Sequence, residues 1–330
     1  MNIKVIFSSG GKFNKNPDQQ LADKDTYVAA KKISEALSNV GHSTELVKIT
    51  PSQVNIVKKL ETDVVFNLCE WSGKDYHLGV KVLKSLESKN TPYTGADSKS
   101  YDWCCNKVAM KKMFDTFKIP TPSWVEVNPS DNARTILQKI GALKYPLIVK
   151  PAYEHCAIGI DENSILKTQK DAIKKIKTLC ASYNEPLLVE EFIYGREFNV
   201  TVFKNHRLHI FPPSEIVFPK VNKGFLFFSN KWSEKSDYTV SIEQDKKIIN
   251  KLKAISRRAF LRMGCKGYVR IDFRVAGDRF YILEVNVNPS IDPHPEYALT
   301  ASTEAKGWSF ERLVHEITTS AIDNFQLAQN

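Results

Sequence analysis

The sequence contains no long apolar run. None of its windows approaches the roughly 18 uninterrupted apolar residues that a membrane-spanning helix needs. At the N-terminus, MNIKVIF leads directly into the polar SSGGKFNKN, without the apolar core of a signal peptide. We therefore expect a cytoplasmic protein that does not enter a membrane.

Cysteine, glycine and proline are also sparse. The six cysteines show neither the spacing of zinc ligands nor the density of a disulfide scaffold, so we expect reduced thiols. The 14 glycines and 15 prolines among 330 residues are not the excess that marks disordered chains. What remains is the composition of an ordinary globular protein, long enough for about two or three domains.

Positive charge is in excess, with a formal net charge of +10. Such a charge suits nucleic acid, an anionic surface or phosphate-bearing substrates, but it says nothing about the fold. The lysines are spread along the chain, and pairs such as Lys111 and Lys112 lie in helical patterns, where a solvated face is the usual explanation. We therefore expect no nucleic-acid partner.

Residues 1–97 show alternating strand and helix patterns, which favour a parallel α/β sheet. The predicted strands are 3–7, 43–49 and 63–68, and the predicted helices are 23–40 and 51–60. The turn-rich segment 91–100 marks the end of this domain.

The rest of the chain divides into two further units, 98–189 and 190–330. The first combines helix patterns at 106–116 and 169–183 with strand patterns at 146–151 and 187–192, whereas the second consists mainly of strand patterns. The predicted fold class is therefore α/β, with an α+β C-terminal part.

The most informative segment is GYVRIDFRVAGDRFYILEVNVNPS, residues 267–290, in which two alternating strands flank a turn. Successive side chains of a strand point to opposite faces. Arg270 and Asp272 therefore share one face of the first strand, and Glu284 and Asn286 share one face of the second.

A two-residue turn in this hairpin would set a polar face against an apolar one. We therefore predict a three-residue loop, 277–279, which pairs Asp272 with Glu284 and Arg270 with Asn286. Opposed carboxylates repel unless a cation or a proton intervenes. Mg²⁺, or Mn²⁺ in its place, takes carboxylates together with water and phosphate oxygens, so Asp272, Glu284 and Asn286 are candidate ligands. A hairpin whose polar face simply meets water is the alternative.

Two further strand ends carry candidate nucleotide contacts. Lys150 ends the strand LIVK beside a loop of small residues, which suits a phosphate anion. The second strand end leads into a hinge that suits the edge of a purine, and the candidate residues there are Glu190, Glu191, Phe192 and Ile193. Glu197, which follows the hinge, could accept hydrogen bonds from the ribose hydroxyls. An acidic strand end in solvent explains the same residues.

From about residue 67 to residue 317, the order of motifs resembles the D-alanine–D-alanine ligases and their ATP-grasp relatives. The motifs are NLCEW, TPYTGAD, DWCCNKVAMKKMF, YPLIVKPAYEHCAIGID, LLVEEFIYGREFNV, GCKGYVRIDFRV and FYILEVNVNPS. The resemblance implies a three-domain ATP-grasp fold with a parallel-sheet domain at the N-terminus and ATP between the other two. It also implies an enzyme that joins a small carboxylate to an amine through an acyl phosphate, and a homodimer is compatible with it.

The resemblance further implies roles for single residues. Lys107 and Lys150 match lysines that contact the nucleotide phosphates, while Cys156 and Ala157 lie in the loop that covers them. The three candidate metal ligands of the hairpin match the magnesium ligands of the family.

Two residues match the family's catalytic groups. Arg270 matches the group that contacts the acyl phosphate and stabilises the oxyanion formed when the amine attacks. Lys231 matches the lysine of a mobile loop, which reaches the γ-phosphate and excludes water from the intermediate.

Two segments depart from the family pattern. SSGGKFNKNPDQQ has no clear counterpart of the Glu that holds the first substrate's ammonium, and Glu70 or Asp18 is the candidate replacement. After Pro289 the chain carries SIDPHPEY, whose acidic groups Asp292 and Glu296 favour a cationic acceptor over an amino-acid carboxylate. We therefore expect substrates other than D-alanine; a genuine D-alanine–D-alanine ligase and a non-catalytic ATP-binding regulator are the alternatives.

Overall fold

The computed structural model describes residues 1–10, 17–161, 163–218 and 238–329. These residues form three β-sheets, one parallel and two antiparallel, with helices packed against them. No helix in these segments is long and apolar enough to cross a membrane.

The first sheet is parallel and has the strand order β2–β1–β3. Its strands are β1 (Asn2–Ser8), β2 (Ser43–Ile49) and β3 (Val64–Leu68). Helix α1 (Pro17–Asn39), a 3-10 helix (Val54–Lys59), a second one (Gly73–Asp75) and helix α2 (Tyr76–Lys89) belong to the same part of the chain. Because helices cover both faces, β1 and β3 are almost entirely buried, as parallel strands usually are.

The second sheet is antiparallel and has the order β4–β7–β5–β6. Its strands are β4 (Trp124–Val127), β5 (Leu147–Pro151), β6 (Ile165–Leu166) and β7 (Leu187–Glu191). The helices of this part are α3 (Ser98–Cys104), α4 (Lys107–Thr116), α5 (Ala133–Ile140) and α6 (Gln169–Tyr183). Side chains cap their first turns at Asp97, Asn106, Asn132 and Thr168, which explains where each helix begins.

The third sheet is antiparallel and has the order β11–β10–β8–β12–β13, with β9 paired to β8. Its strands are β8 (Arg196–Lys204), β9 (Leu208–Ile210), β10 (Ser214–Val217), β11 (Thr239–Ile242), β12 (Tyr268–Ala276) and β13 (Arg279–Val287). Helix α7 (Lys246–Arg262) packs on one face, where apolar side chains of β8, β12 and β13 form a core. The opposite face is therefore free to carry polar groups.

The last two described helices are α8 (Ala298–Glu304) and α9 (Phe310–Gln329). Helix α9 packs on the first sheet, where Leu313 and Ile317 share a core with Ile3 and Val5. Residues from the two ends of the described chain thus pack in one core. The predicted domain boundaries at residues 97 and 189 stay a prediction.

The hairpin of β12 and β13 has the predicted pairing but a different turn. Asp272 lies opposite Glu284, and Arg270 lies opposite Asn286. The turn contains two residues, not three, and a β-bulge at Leu283 shifts the register by one residue before the polar pairs. The prediction of a three-residue loop was therefore wrong. The extra residue that brings Asp272 opposite Glu284 lies within strand β13, as a bulge, and not in the turn.

Candidate active site

Asp272 lies at the centre of the polar face of the hairpin. Arg270 donates to both of its oxygens, with Nε 2.7 Å from Oδ1 and Nη2 2.8 Å from Oδ2. The amide groups of Asn199 and Asn286 donate to Oδ1 and Oδ2 at 2.7 and 2.9 Å. These four hydrogen bonds fix the carboxylate and, in turn, the plane of the guanidinium group.

Glu284 is more open, with 30% of its side chain exposed. Its Oε2 lies 3.8 Å from Lys107 Nζ, and its Oε1 lies 3.4 Å from Asn286 Nδ2. Burial acts to raise the pKa of Glu284, but attraction to Lys107, Lys150 and Arg270 outweighs burial and lowers this pKa to about 2. Glu284 is therefore ionised at neutral pH.

Protein cations balance the two carboxylates of the hairpin. Arg270 pairs with Asp272, and Lys107 faces Glu284. Side chains thus already relieve the repulsion between the two carboxylates, so this repulsion does not by itself require a metal ion.

The chemistry of the donor groups nevertheless fits Mg²⁺ or Mn²⁺. Two carboxylates and the Asn286 amide meet on one surface, and hard cations take such oxygen ligands together with water and phosphate. The nitrogen of the Asn286 amide now contacts Asp272 and Glu284. A half-turn of the amide group would place its oxygen there instead, where it could bind a metal ion together with the two carboxylates. Within the described segments, no group of three or more His, Cys, Asp and Glu side chains could hold a metal, so any such site depends on this mixed set.

Glu190 lies between two lysines next to this patch. Its Oε1 is 2.7 Å from Lys150 Nζ, and its Oε2 is 2.7 Å from Lys111 Nζ. Burial opposes ionisation of Glu190, but the two ammonium groups hold its pKa below the ordinary value. The expectation of a solvated Lys111 was wrong, since its side chain is only 1% exposed. The Glu190 carboxylate thus lies between two lysines, and its contact with a purine stays a prediction.

Glu191 does not join this cluster, although we predicted it as a nucleotide contact. Successive residues of a strand point to opposite faces, so Glu191 lies on the other side of β7 from Glu190. There its Oε1 accepts a hydrogen bond from Lys144 N at 2.9 Å.

Phe192 offers an apolar surface rather than a backbone donor. Its N–H donates to the Pro146 carbonyl oxygen at 2.8 Å, just beyond the paired ends of β5 and β7, so this donor already has a partner within the protein. Its ring packs with Ile148 and Ile160 in a small apolar cluster beside the Lys150–Glu190 pair. Ile193, which follows, is half-buried.

Glu197 on β8 forms an ion pair with Arg274, an arginine for which the sequence predicted no role. Its Oε2 lies 2.5 Å from Nη2 of Arg274 on β12. Burial raises the pKa of Glu197, and Arg274 opposes this rise.

The loop after β5 folds over the N-terminal end of α4. Lys107 is the first residue of that helix; its backbone N–H donates to the Ala152 carbonyl oxygen at 2.9 Å, and its ammonium group donates to the Glu154 carbonyl oxygen. In the same loop Cys156 and Ala157 have left-handed backbones, with φ of +55° and +62°. Such conformations are uncommon for residues with a side chain and concentrate at functional sites.

A cleft lies next to this loop. His155 Nδ1 is 3.0 Å from Cys156 Sγ and 3.8 Å from Glu70 Oε1, so the candidate replacement Glu70 borders the cleft. The residues that line it are Thr26, Ala29, Leu68, Cys69, Glu70, Tyr101, His155, Cys156, Val287, Asn288 and Ser290.

Asp292 does not present a free negative charge. Its buried carboxylate forms an ion pair with Lys32 of α1 and accepts a hydrogen bond from His294 N at 2.9 Å. The expectation that Asp292 repels an amino-acid carboxylate was therefore wrong, because a lysine neutralises it. Glu296 remains exposed.

One predicted catalytic residue and one candidate substrate contact lie outside the part of the chain that the structure describes. Lys231 lies outside the described residues, and so does the side chain of Asp18. The structure brings together Arg270 and the three candidate metal ligands with Lys107 and Lys150, and Glu197 lies on the adjoining strand.

Comparisons with known proteins point to one family. The family model described as D-ala D-ala ligase C-terminus matches residues 113–319. A D-alanine–D-alanine ligase of Pelagibacter ubique is 29% identical over 98% of this chain and 100% of its own length. Another, from Marinomonas sp., is 30% identical over 74% of this chain and 73% of its own length.

Solved structures agree with the sequence relatives. D-alanine–D-alanine ligase from Bacillus anthracis, in a crystal with ATP, superposes with a TM-score of 0.77 at 20% identity and covers 99% of both chains. The enzyme from Coxiella burnetii gives 0.77 at 19% identity, covering 100% of this chain and 96% of its own. These likenesses confirm the predicted ATP-grasp fold, with a parallel N-terminal sheet and antiparallel sheets beyond it. This chain belongs to the D-alanine–D-alanine ligase family and is an ATP-grasp ligase that forms carbon–nitrogen bonds.

Proposed function

We propose that this ligase uses ATP to join a small carboxylic acid to an amine through an acyl phosphate, releasing ADP and phosphate. The observation that carries the proposal is the meeting of oriented groups of both signs on one surface. Asp272 holds Arg270 by two hydrogen bonds, and Glu284 faces Lys107 at 3.8 Å. A protein that only bound nucleotide would have little use for such an arrangement.

Phosphate binding falls to the lysines and the covering loop in this proposal. Lys107 and Lys150 attract the phosphate oxygens, and the backbone at Cys156 and Ala157 covers them. Mg²⁺, or Mn²⁺, held by Asp272, Glu284 and Asn286 would offset charge on the transferred phosphoryl group.

Arg270 would act on the charge that develops during both steps. Its guanidinium group is fixed before substrates arrive, so it stabilises the acyl phosphate and then the oxyanion without reorganisation. We propose that Lys231 reaches the γ-phosphate and that its loop excludes water.

The nucleoside part of ATP would lie along the hinge. The apolar cluster of Phe192, Ile148 and Ile160 supplies a surface for the purine, with Ile193 beside it. Glu197 supplies acceptors for the ribose hydroxyls. Glu190 then acts indirectly, by holding Lys150 in place.

A D-alanine–D-alanine ligase is the second candidate function. One observation favours it: the Lys32–Asp292 ion pair removes an acidic group that argued against a second amino-acid carboxylate. The relatives from Pelagibacter and Marinomonas that carry this name support the same choice.

The test is ADP release, first with D-alanine alone and then with pairs of carboxylic acids and amines, with products identified by mass. We expect amide formation coupled to ADP release. Asp272→Asn should reduce turnover at least about 100-fold, since it loosens Arg270 and removes a metal ligand. Asp278→Asn, at the exposed tip of the same hairpin, is the matched control. Binding of ATP without turnover for any pair would favour a regulatory ATP-binding protein.

A further inference from the structure

Arg274 is a buried arginine to which the proposed reaction assigns no role. Its side chain is only 4% exposed, and it lies on β12 directly opposite Glu197 of β8. One arm of the guanidinium group, Nη2, reaches Glu197 Oε2 at 2.5 Å, and the other, Nη1, donates to the Gly195 carbonyl oxygen at 3.0 Å. Arg274 therefore binds the carboxylate and the hinge before it at the same time.

The backbone of Gly195, at the end of the hinge, packs directly against the backbone of β12. A Cβ atom added to Gly195 would lie 2.1 Å from the carbonyl oxygen of Val275, so the backbone there leaves no room for a side chain. The guanidinium carbon of Arg274 also lies 5.7 Å from the centre of the Phe192 ring, within the range of a cation–π contact. One side chain thus touches the hinge backbone, the apolar purine surface and the Glu197 carboxylate.

Stability alone is a poor explanation for such a group. Apolar residues of similar volume often stabilise a buried site as well as an ion pair does, because both charges must lose water. What a guanidinium group adds is geometry, since its rigid fork fixes two acceptors relative to each other, which the single ammonium of lysine cannot do.

We propose that Arg274 is a positioning residue that orients Glu197 to accept hydrogen bonds from both ribose hydroxyls and so makes the ribose a determinant of nucleotide choice. This rests on the proposed function, because that function assigns the ribose to Glu197. Arg274 acts through Glu197 and need not touch the reacting atoms.

The experiment compares binding of ATP, 2′-deoxy-ATP and 3′-deoxy-ATP by the full chain and its variants. We expect the unaltered chain to prefer ATP over each deoxynucleotide by about tenfold, the value of a hydrogen bond to a charged group. Arg274→Met should reduce this preference to less than about threefold and raise KM for ATP more than it lowers kcat. The ribose preference of Arg274→Lys should lie between those of Arg274→Met and the unaltered chain. Arg279→Met, at an exposed residue next to the turn of the same hairpin, should match the unaltered chain.

Folding of each variant is checked by circular dichroism and thermal unfolding. Full ribose preference in folded Arg274→Met, or in Glu197→Gln, overturns the positioning role. If Arg274→Met does not fold, Arg274→Lys decides, because it keeps the charge and loses the fork; unchanged preference there also overturns the role. Absence of ATP binding by the unaltered chain contradicts the proposed function instead.

Discussion

At the scale of single residues, Glu185 shows how burial changes the chemistry of a carboxylate. It is buried beside the loop that follows β5 and accepts a hydrogen bond from Tyr153 N at 2.9 Å. Burial raises its pKa to about 7, and the charge of Glu154 adds to this rise. Protonation of Glu185 near neutral pH should therefore affect the stability of the folded chain.

The sign of this effect follows from the two pKa values. The pKa of Glu185 is about 7 in the folded chain and 4.5, the ordinary value, in the unfolded chain. Between these two pH values the folded chain keeps the proton and the unfolded chain releases it. Stability should therefore fall as the pH rises through this window. Glu185→Gln keeps the acceptor oxygen and cannot ionise, so its stability relative to the unaltered chain should be higher at pH 8 than at pH 5, by on the order of 2 kcal/mol.

Urea unfolding at these two pH values measures the difference, and Glu61→Gln, at an exposed carboxylate, is the control. If the stability of Glu185→Gln relative to the unaltered chain is the same at pH 5 and pH 8, Glu185 is ionised in the folded chain and the explanation is wrong.

At the scale of elements, one buried ion pair joins helix α4 to strand β7. Removing Lys111 takes away one of the two ammonium groups that balance the buried Glu190 carboxylate, which is costly. We expect Lys111→Met to lower the free energy of unfolding by about 3 kcal/mol. Lys112→Met, on the next residue, should lower it by less than about 1 kcal/mol, because Lys112 is 62% exposed and pairs with Glu126 near the surface. If urea unfolding shows the same loss of stability for Lys111→Met and Lys112→Met, the buried Lys111–Glu190 pair contributes no more to stability than the surface pair of Lys112 does.

Local patterns predicted the elements better than their contacts. The strand 43–49 and the helix 169–183 have the predicted bounds, because apolar periodicity and turn residues act within a few positions. The pairing of Asp272 with Glu284 was also predicted, since both lie in one hairpin.

Contacts between distant strands were not predicted. Arg274 meets Glu197 only because β12 pairs with β8, and nothing local to either strand shows that pairing. Lys111 was missed for the same reason, since its partner Glu190 lies on another element. Alternation showed which face each side chain takes, but it did not show which strand lies opposite.

At the scale of the whole molecule, the first sheet depends on helix α9. Leu313 is buried in the core that α9 shares with β1, β3 and α1. Leu313→Ala should lower the free energy of unfolding by about 2–5 kcal/mol through the cavity it leaves. Leu327→Ala, in the same helix but with Leu327 67% exposed, should have an effect within about 0.5 kcal/mol. Similar denaturation midpoints for the two variants would contradict this view of the core.

The position of α9 also has a consequence for synthesis on the ribosome. Strand β1 and helix α1 are translated well before helix α9, which packs on their shared apolar face. We therefore expect the nascent chain to expose Ile3, Val5 and their neighbours until residues 310–329 have left the exit tunnel, and chaperones that hold incomplete chains to bind this apolar face. The first sheet should therefore gain its full apolar cover only after α9 has been synthesised.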